Sequence, residues 1–388
     1  MSDAYGTLDI STIPVVDNHC HPLESAPTRK SPDEWRRYFS EAIDDGAGNR
    51  FTVGSAYYRR LISAMARYHQ VENEEGAVLE ARASYSTEEL ARRLFADAKI
   101  EGVVVDLGFP PGESCLSREK FVEATSTSYG ALLRVELLFQ QRIAELSTFN
   151  EVVDCLRSDL NDLRAAGYIG FKSIAGYRTG LQIERWSDDD VRTAFAAARS
   201  EVAKTGSLRL GYKPLLDTFL HLALSYAERD ELPVQFHVGY GDHDVDLQRA
   251  SPLLLRALME DDEYRHVPFV LLHGCWPYFR EGAFLSSIYH NVFFDISYGI
   301  PFLGAVELRT VTRAALGTAP FGKIMYSSDG ARVPEIFWMA AHDGRAILSS
   351  ILKEMVDARD LTMDQSLDVA DQILRSNARS LYGLDSAG

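Results

Sequence analysis

Two histidines stand one residue apart where a short apolar run gives out, in PVVDNHCHP at residues 14–22. Side chains alternate across a strand with a period of two, so His19 and His21 face the same side and can converge on one point. Further along, groups capable of chemistry recur, each at the end of an apolar run: Lys172 in GFKS, His237 in VQFHVGYGD, His273 in VLLHGCW and Asp329 in MYSSDG. Neutral imidazoles and a carboxylate are the ligands that zinc and related divalent ions take, and a catalytic site leaves one position open for water. A lone histidine at a strand end is more often a hydrogen-bonded structural residue. The repetition of the pattern at strand ends points instead to a metal centre.

The elements that would position these groups are short apolar stretches separated by longer helical patterns. Strands are expected at VVDNH (15–19), VVVDLGF (103–109), LLRVELL (132–138), YIGFKSI (168–174), LPVQFHV (232–238), PFVLLHG (268–274), NVFFDIS (291–297) and KIMYSSD (323–329). Continuous apolar strands alternating with helices indicate a parallel sheet covered on its outer face, and eight such units are what a (β/α)8 barrel requires. An open doubly wound sheet would normally bring a Gly-rich phosphate loop after an early strand, and none is visible. In a barrel the strand ends form one ring, so ligands distant in sequence become neighbours.

The interval after the first strand is too long for one βα loop, and residues 23–98 are expected to form a helical insertion over the barrel mouth. SPDEWRRYFSEAI offers Ser31 as N-cap with Pro32 at the first helical position, and STEELARRLFADA opens with Ser86 and a glutamate three residues on. The tail, 333–388, reads as helical.

With 388 residues, 46% of them hydrophobic, the chain can bury a large core, either as two domains or as one large barrel with an insertion. Forty basic against fifty-six acidic residues leave a net charge of -16. Such a surface repels phosphate backbones and anionic membranes, so neither nucleic acid nor lipid is an expected partner. No apolar run approaches the roughly 20 residues that span a bilayer. The start, MSDAYGTLDIST, lacks a leader pattern, so a cytoplasmic protein acting on a small molecule, as a homo-oligomer, is expected. Cys20, Cys115, Cys155 and Cys275 show no C-x-x-C spacing, which argues against a disulfide framework or a zinc ribbon.

Taken in order, H-x-H on the first strand, Lys on the fourth, His on the fifth, His on the sixth and Asp on the eighth resemble the amidohydrolase superfamily of metal-dependent barrel enzymes. The likeness is closer to the amidohydrolase-related branch, especially the domain linked to glutamine synthetase in some fungal and plant proteins. It is carried by DNHCHP, GFKSIAGYRTGL, VQFHVGYGDHDVDL, LLHGCWPYFREGAFL, VFFDISYGIP, YSSDG and NARSLYGL. The resemblance implies that His19, His21, His237 and Asp329 hold the metal, most often zinc with manganese as the alternative, as one or two ions. It implies His273 beside the metal as a ligand or as a group that polarises substrate, and Asp329 as acceptor of the attacking water's proton. Lys172 stays open. It is a carboxylated or metal-bound lysine, or else a substrate contact or salt-bridge partner, since Phe171 and Ile174 embed it and a buried free ammonium is costly.

Arg178, on the loop after Lys172, could clamp a substrate carboxylate with two hydrogen bonds or pair with one of the many acids. Tyr240 and Trp276 are candidate pocket walls, His243 reads as a loop residue, and Asp17 could orient a histidine or cap a turn. The leading expectation is hydrolysis of an amide or other C–N bond in a small carboxylated molecule, with γ-glutamyl and amino-acid amides in view. Non-oxidative decarboxylation or lactone hydrolysis on the same metal is the alternative, and a non-catalytic scaffold is disfavoured because no ligand is missing.

Overall fold

The structure is a computed structural model that describes residues 8–42 and 50–384. The first seven residues, the end of the expected helix at Ile43 and the last four residues of the tail lie outside it. Eight parallel strands follow one another in the order β1 to β8, with helices between them, as a (β/α)8 barrel. They are β1 (Val15–Cys20), β2 (Ile100–Asp106), β3 (Ser128–Arg134), β4 (Tyr168–Ser173), β5 (Val234–Phe236), β6 (Phe269–Leu271), β7 (Val292–Ser297) and β8 (Ile324–Ser327). Every residue of β1, β5, β6 and β8 is buried, so these strands show no alternation of buried and exposed positions.

Two strands differ in register from the sequence expectation. β2 begins three residues before the expected 103 and ends at Asp106, which turns that carboxylate into a strand-end group. β3 ends at Arg134, and the VELL expected to complete it opens the helix Val135–Glu145. In LLRVELL apolar residues continue on both sides of the strand end, and periodicity alone cannot mark such a junction.

By compactness the chain divides into two units: Met1–Val105 with Phe109–Tyr129 and Asp295–Gly388, and Asp106–Gly108 with Gly130–Phe294. In the first, β8 returns beside β1, with the Asp329 amide donating to the His19 carbonyl (3.0 Å) and the His21 amide to the Gly330 carbonyl (2.7 Å). The helices after β1 also belong here. Pro32–Arg36 starts from a full capping box between Ser31 and Glu34, and Thr87–Asp97 starts from Ser86, whose hydroxyl accepts the Glu89 amide. They are fastened to the chain that follows β8: Arg82 pairs with Glu335 (2.5 Å, both buried), Arg60 with Asp343 (2.5 Å), and the Trp338 indole donates to Asp97 (2.6 Å). Helix Pro334–Ala358 buries most of its length between these partners.

In the second unit β3 to β6 pair in parallel, aligning Arg134 with Lys172 and Lys172 with Gln235. No described helix is long and apolar enough to cross a membrane.

Candidate metal centre

In the first unit, three side chains meet at the ends of β1 and β8. His19 Nε2 lies 3.4 Å and His21 Nε2 3.5 Å from the same oxygen, Oδ1 of Asp329, and the two rings stand edge to face with centroids 5.0 Å apart. These distances exceed the usual N–H···O hydrogen bond of about 2.7–3.2 Å. Taken singly, each has the spacing of two ligand atoms on one ion: with bonds of about 2.0–2.1 Å, tetrahedral ligands stand roughly 3.3–3.4 Å apart. Two imidazoles and a carboxylate are also the donor types that zinc prefers, so the residues fit a divalent ion.

The backbone accounts for the convergence. Asp329 adopts a left-handed φ of +52°, uncommon for a residue with a Cβ, and its amide is anchored on His19. Beneath it, Asp17 accepts the Ser328 amide (2.8 Å) and the Ser328 hydroxyl, and the His19 amide at 3.3 Å. Full burial pushes the Asp17 carboxyl up to about 8 against those hydrogen bonds, and neighbouring Asp295 raises it further. Asp295 itself accepts from the Asn18 amide group (2.9 Å) and the Ser297 hydroxyl (2.8 Å). Asp17 therefore acts on β1 and β8 together, more than the turn cap or single-histidine partner expected.

In the second unit, His237 and His273 face each other. His237 Nε2 donates to the Tyr240 carbonyl (2.5 Å), which leaves the lone pair on Nδ1; there it accepts the Nε2–H of His273 at 2.9 Å. A carbonyl can only accept, so the Tyr240 backbone sets the tautomer and orientation of His237. Tyr240 is held in turn by its amide donating to the Trp276 carbonyl (2.7 Å), and its ring lies 5.3 Å from that of His273. Tyr177 packs on His237 at 4.5 Å. His273 has a left-handed φ of +63°. His243 is half exposed beside Asp244, as a loop residue.

Lys172 is fully buried at the end of β4. Arg178 is half-buried, and among the described residues no carboxylate pairs with it. Burial lowers its pKa from the ordinary arginine value, with Arg209 and Arg134 adding repulsion.

Three residues of this region were not foreseen. Asp106 and Arg134, at the ends of β2 and β3, form a buried pair with Arg134 Nε 3.1 Å from both carboxylate oxygens. Glu136, fully buried, accepts from the Ser173 hydroxyl (2.7 Å) and the Ile174 amide (2.9 Å), and burial raises its pKa. The signal for Asp106 was present: VVVD repeats the apolar-run-then-acid pattern of VVD at β1. Reading the strand as ending at 109 hid it.

A sequence model described as Amidohydrolase matches residues 162–384, more than half of the chain. The curated protein fluG of Emericella nidulans is 27% identical over 97% of this chain, which spans 46% of that protein's length. Among solved structures, a candidate metal-dependent hydrolase from Lactobacillus casei superposes with a TM-score of 0.86 at 27% identity, covering 97% of this chain and 98% of its own. A uronate isomerase from Thermotoga maritima shares the fold at a TM-score of 0.70 and 14% identity, over 96% and 95% of the two chains. The family model, the barrel and the similar hydrolase structure agree: the chain belongs to the amidohydrolase family and is an enzyme of the metal-dependent hydrolase type.

Proposed function

We propose that the chain hydrolyses an amide or other C–N bond of a small carboxylated molecule, γ-glutamyl and amino-acid amides being the first class to examine, with zinc as the ion. The observation that carries this reading is the approach of His19 and of His21 to one oxygen of Asp329, each at the spacing of two ligand atoms on one ion. His19, His21 and Asp329 would hold the ion, with His237 joining through Nδ1 in exchange for its bond to His273, and His273 would stand beside it; each of the five lies within two residues of the end of a barrel strand, where this fold gathers its chemistry. An ion so held supplies a Lewis acid that lowers the pKa of water toward neutrality and polarises a carbonyl.

The chain's own residues account for the remaining work. Asp329 takes the proton of the attacking water and returns it to the leaving nitrogen, as a carboxylate whose backbone is locked in place can do. His273, once His237 Nδ1 is given to the ion, would have its Nε2–H free to donate to the carbonyl oxygen. Arg178, which has no carboxylate partner among the described residues, offers a fork for a substrate carboxylate. Tyr240 and Trp276 border this region, and the helices after β1, fastened to the chain beyond β8, would cover the mouth.

The test measures metal per chain in the purified protein and in His19→Ala, alongside a screen of γ-glutamyl amides, lactones and aromatic carboxylates. Bound metal near one ion per chain, its loss in His19→Ala with the fold retained, and amide cleavage are expected. Full activity in metal-free protein would overturn the reading, and turnover confined to aromatic carboxylates would replace hydrolysis by decarboxylation.

A further inference from the structure

Arg332 lies three residues beyond Asp329, on the loop that leaves β8, and no sequence signal marked it. Its backbone is left-handed (φ +67°), a conformation that a residue with a Cβ keeps only where its surroundings impose it. The surroundings do so. The Arg332 amide donates to the Pro22 carbonyl (3.0 Å), its carbonyl accepts the Glu24 amide (2.9 Å), and its Nη1 meets Glu24 Oε1 at 2.6 Å. The other Glu24 oxygen takes the Tyr38 hydroxyl at 2.7 Å, so the acid is held from two sides.

The guanidinium carbon lies 4.9 Å from the centre of the Phe109 ring, and the Phe109 ring meets the His21 ring edge to face at 5.5 Å. Arg332 is therefore separated from a candidate metal ligand by the width of one aromatic ring. Glu24 occupies only Nη1. Among the described residues nothing accepts from Nε or Nη2, and the side chain is 35% exposed. It borders a narrow recess lined also by Lys30, Arg82, Tyr38 and Glu24, with room for about one water molecule. Arg82 is paired with Glu335, and Lys30 has no carboxylate partner among the described residues, so the recess presents unmatched positive charge.

A rigid planar fork with one edge pinned and the other open, stacked on an aromatic ring, suits bidentate capture of a carboxylate. We propose that Arg332, rather than Arg178, receives the substrate carboxylate, about one ring width from the reacting carbonyl. Substrates would then be amides of glutaryl type, with the carboxylate roughly three carbons from the scissile carbonyl. The identity of the bond cleaved rests on the hydrolase reading above; the anion site does not. Phe109 sets the distance, and Glu24 aims the guanidinium while competing with the ligand for it.

Two arms test this. In the first, calorimetry on the full chain measures glutarate binding to wild type, Arg332→Gln and Glu24→Gln. Arg332→Gln should weaken binding at least about tenfold, the scale of one lost charge-assisted fork. Glu24→Gln should tighten it, because the competing charge is gone. Unchanged affinity in Arg332→Gln, or weaker binding in Glu24→Gln, overturns the proposal. In the second arm, glutaryl and pentanoyl 4-nitroanilides are compared. Wild type should prefer the glutaryl compound, and Arg332→Gln should raise KM for it while leaving the pentanoyl compound within about twofold. Equal loss on both substrates would mean a structural role only and would sink the proposal. If neither anilide is cleaved, the hydrolase reading suffers while the glutarate arm still decides Arg332.

Discussion

Gly239, two residues beyond His237, offers a direct test of how the second unit holds its histidines. Its φ is +80°, and a Cβ built there would lie 2.9 Å from the Cys275 carbonyl oxygen and closer still to that of Trp276. Both neighbours are backbone, so neither can swing aside. Gly239→Ala therefore carries two costs: about 1–2 kcal/mol for a left-handed residue with a Cβ, and about 1–3 kcal/mol to move the 275–276 backbone by on the order of 1 Å. A matched comparison isolates the second. Gly206 ends the helix Asp188–Thr205 with φ +77°, and a Cβ there meets nothing within 4 Å, so Gly206→Ala should show only the conformational cost. Urea unfolding of both variants should place Gly239→Ala lower by about 1–3 kcal/mol. The displaced chain carries Trp276, whose carbonyl holds Tyr240, whose carbonyl in turn orients His237. A misplacement of about 1 Å in such a chain should reduce turnover by roughly 100-fold in Gly239→Ala and hardly at all in Gly206→Ala. If the two variants proved equally mild in stability and turnover, the close approach of these loops would not be what positions His237.

Burial raises the Glu136 pKa, so the folded state holds a proton more tightly than the unfolded chain, and stability contributed by that group is present at low pH and lost as pH rises above the ordinary glutamate range. Glu136→Gln keeps an acceptor for Ser173 and Ile174 without the ionisation; unfolding free energies at acid, neutral and alkaline pH should fall less steeply in the variant, and parallel profiles would refute the assignment. Lys172 is expected to be a plain ammonium, with one ion per chain: intact mass under native conditions should show no added carboxylate, and Lys172→Ala should keep the metal count near that of wild type, whereas a drop from two ions to one would establish a bridging, carboxylated lysine.

Much of this protein follows from its chain alone. The burial of parallel strands on both faces made them visible as apolar runs, and His19, Lys172, His237, His273 and Asp329 were legible as the polar groups near the C-terminal ends of those runs. Caps at Ser31 and Ser86 were equally legible, because an N-cap hydroxyl and its partner lie within one turn. Junctions without such local chemistry were not. Apolar residues stand on both sides of the Arg134–Val135 junction, and only packing decides that the strand stops there. Pairings across long sequence separations were also invisible: Ser328 onto Asp17, Arg134 onto Asp106, and Glu24 onto Arg332 each depend on which strand ends become neighbours. Whether Arg178 is matched by an acid, and whether Arg332 turns toward His21 or away, could not be read from residue type. A guanidinium carries the same charge in any sequence, and only the tertiary structure decides which of its edges remain open.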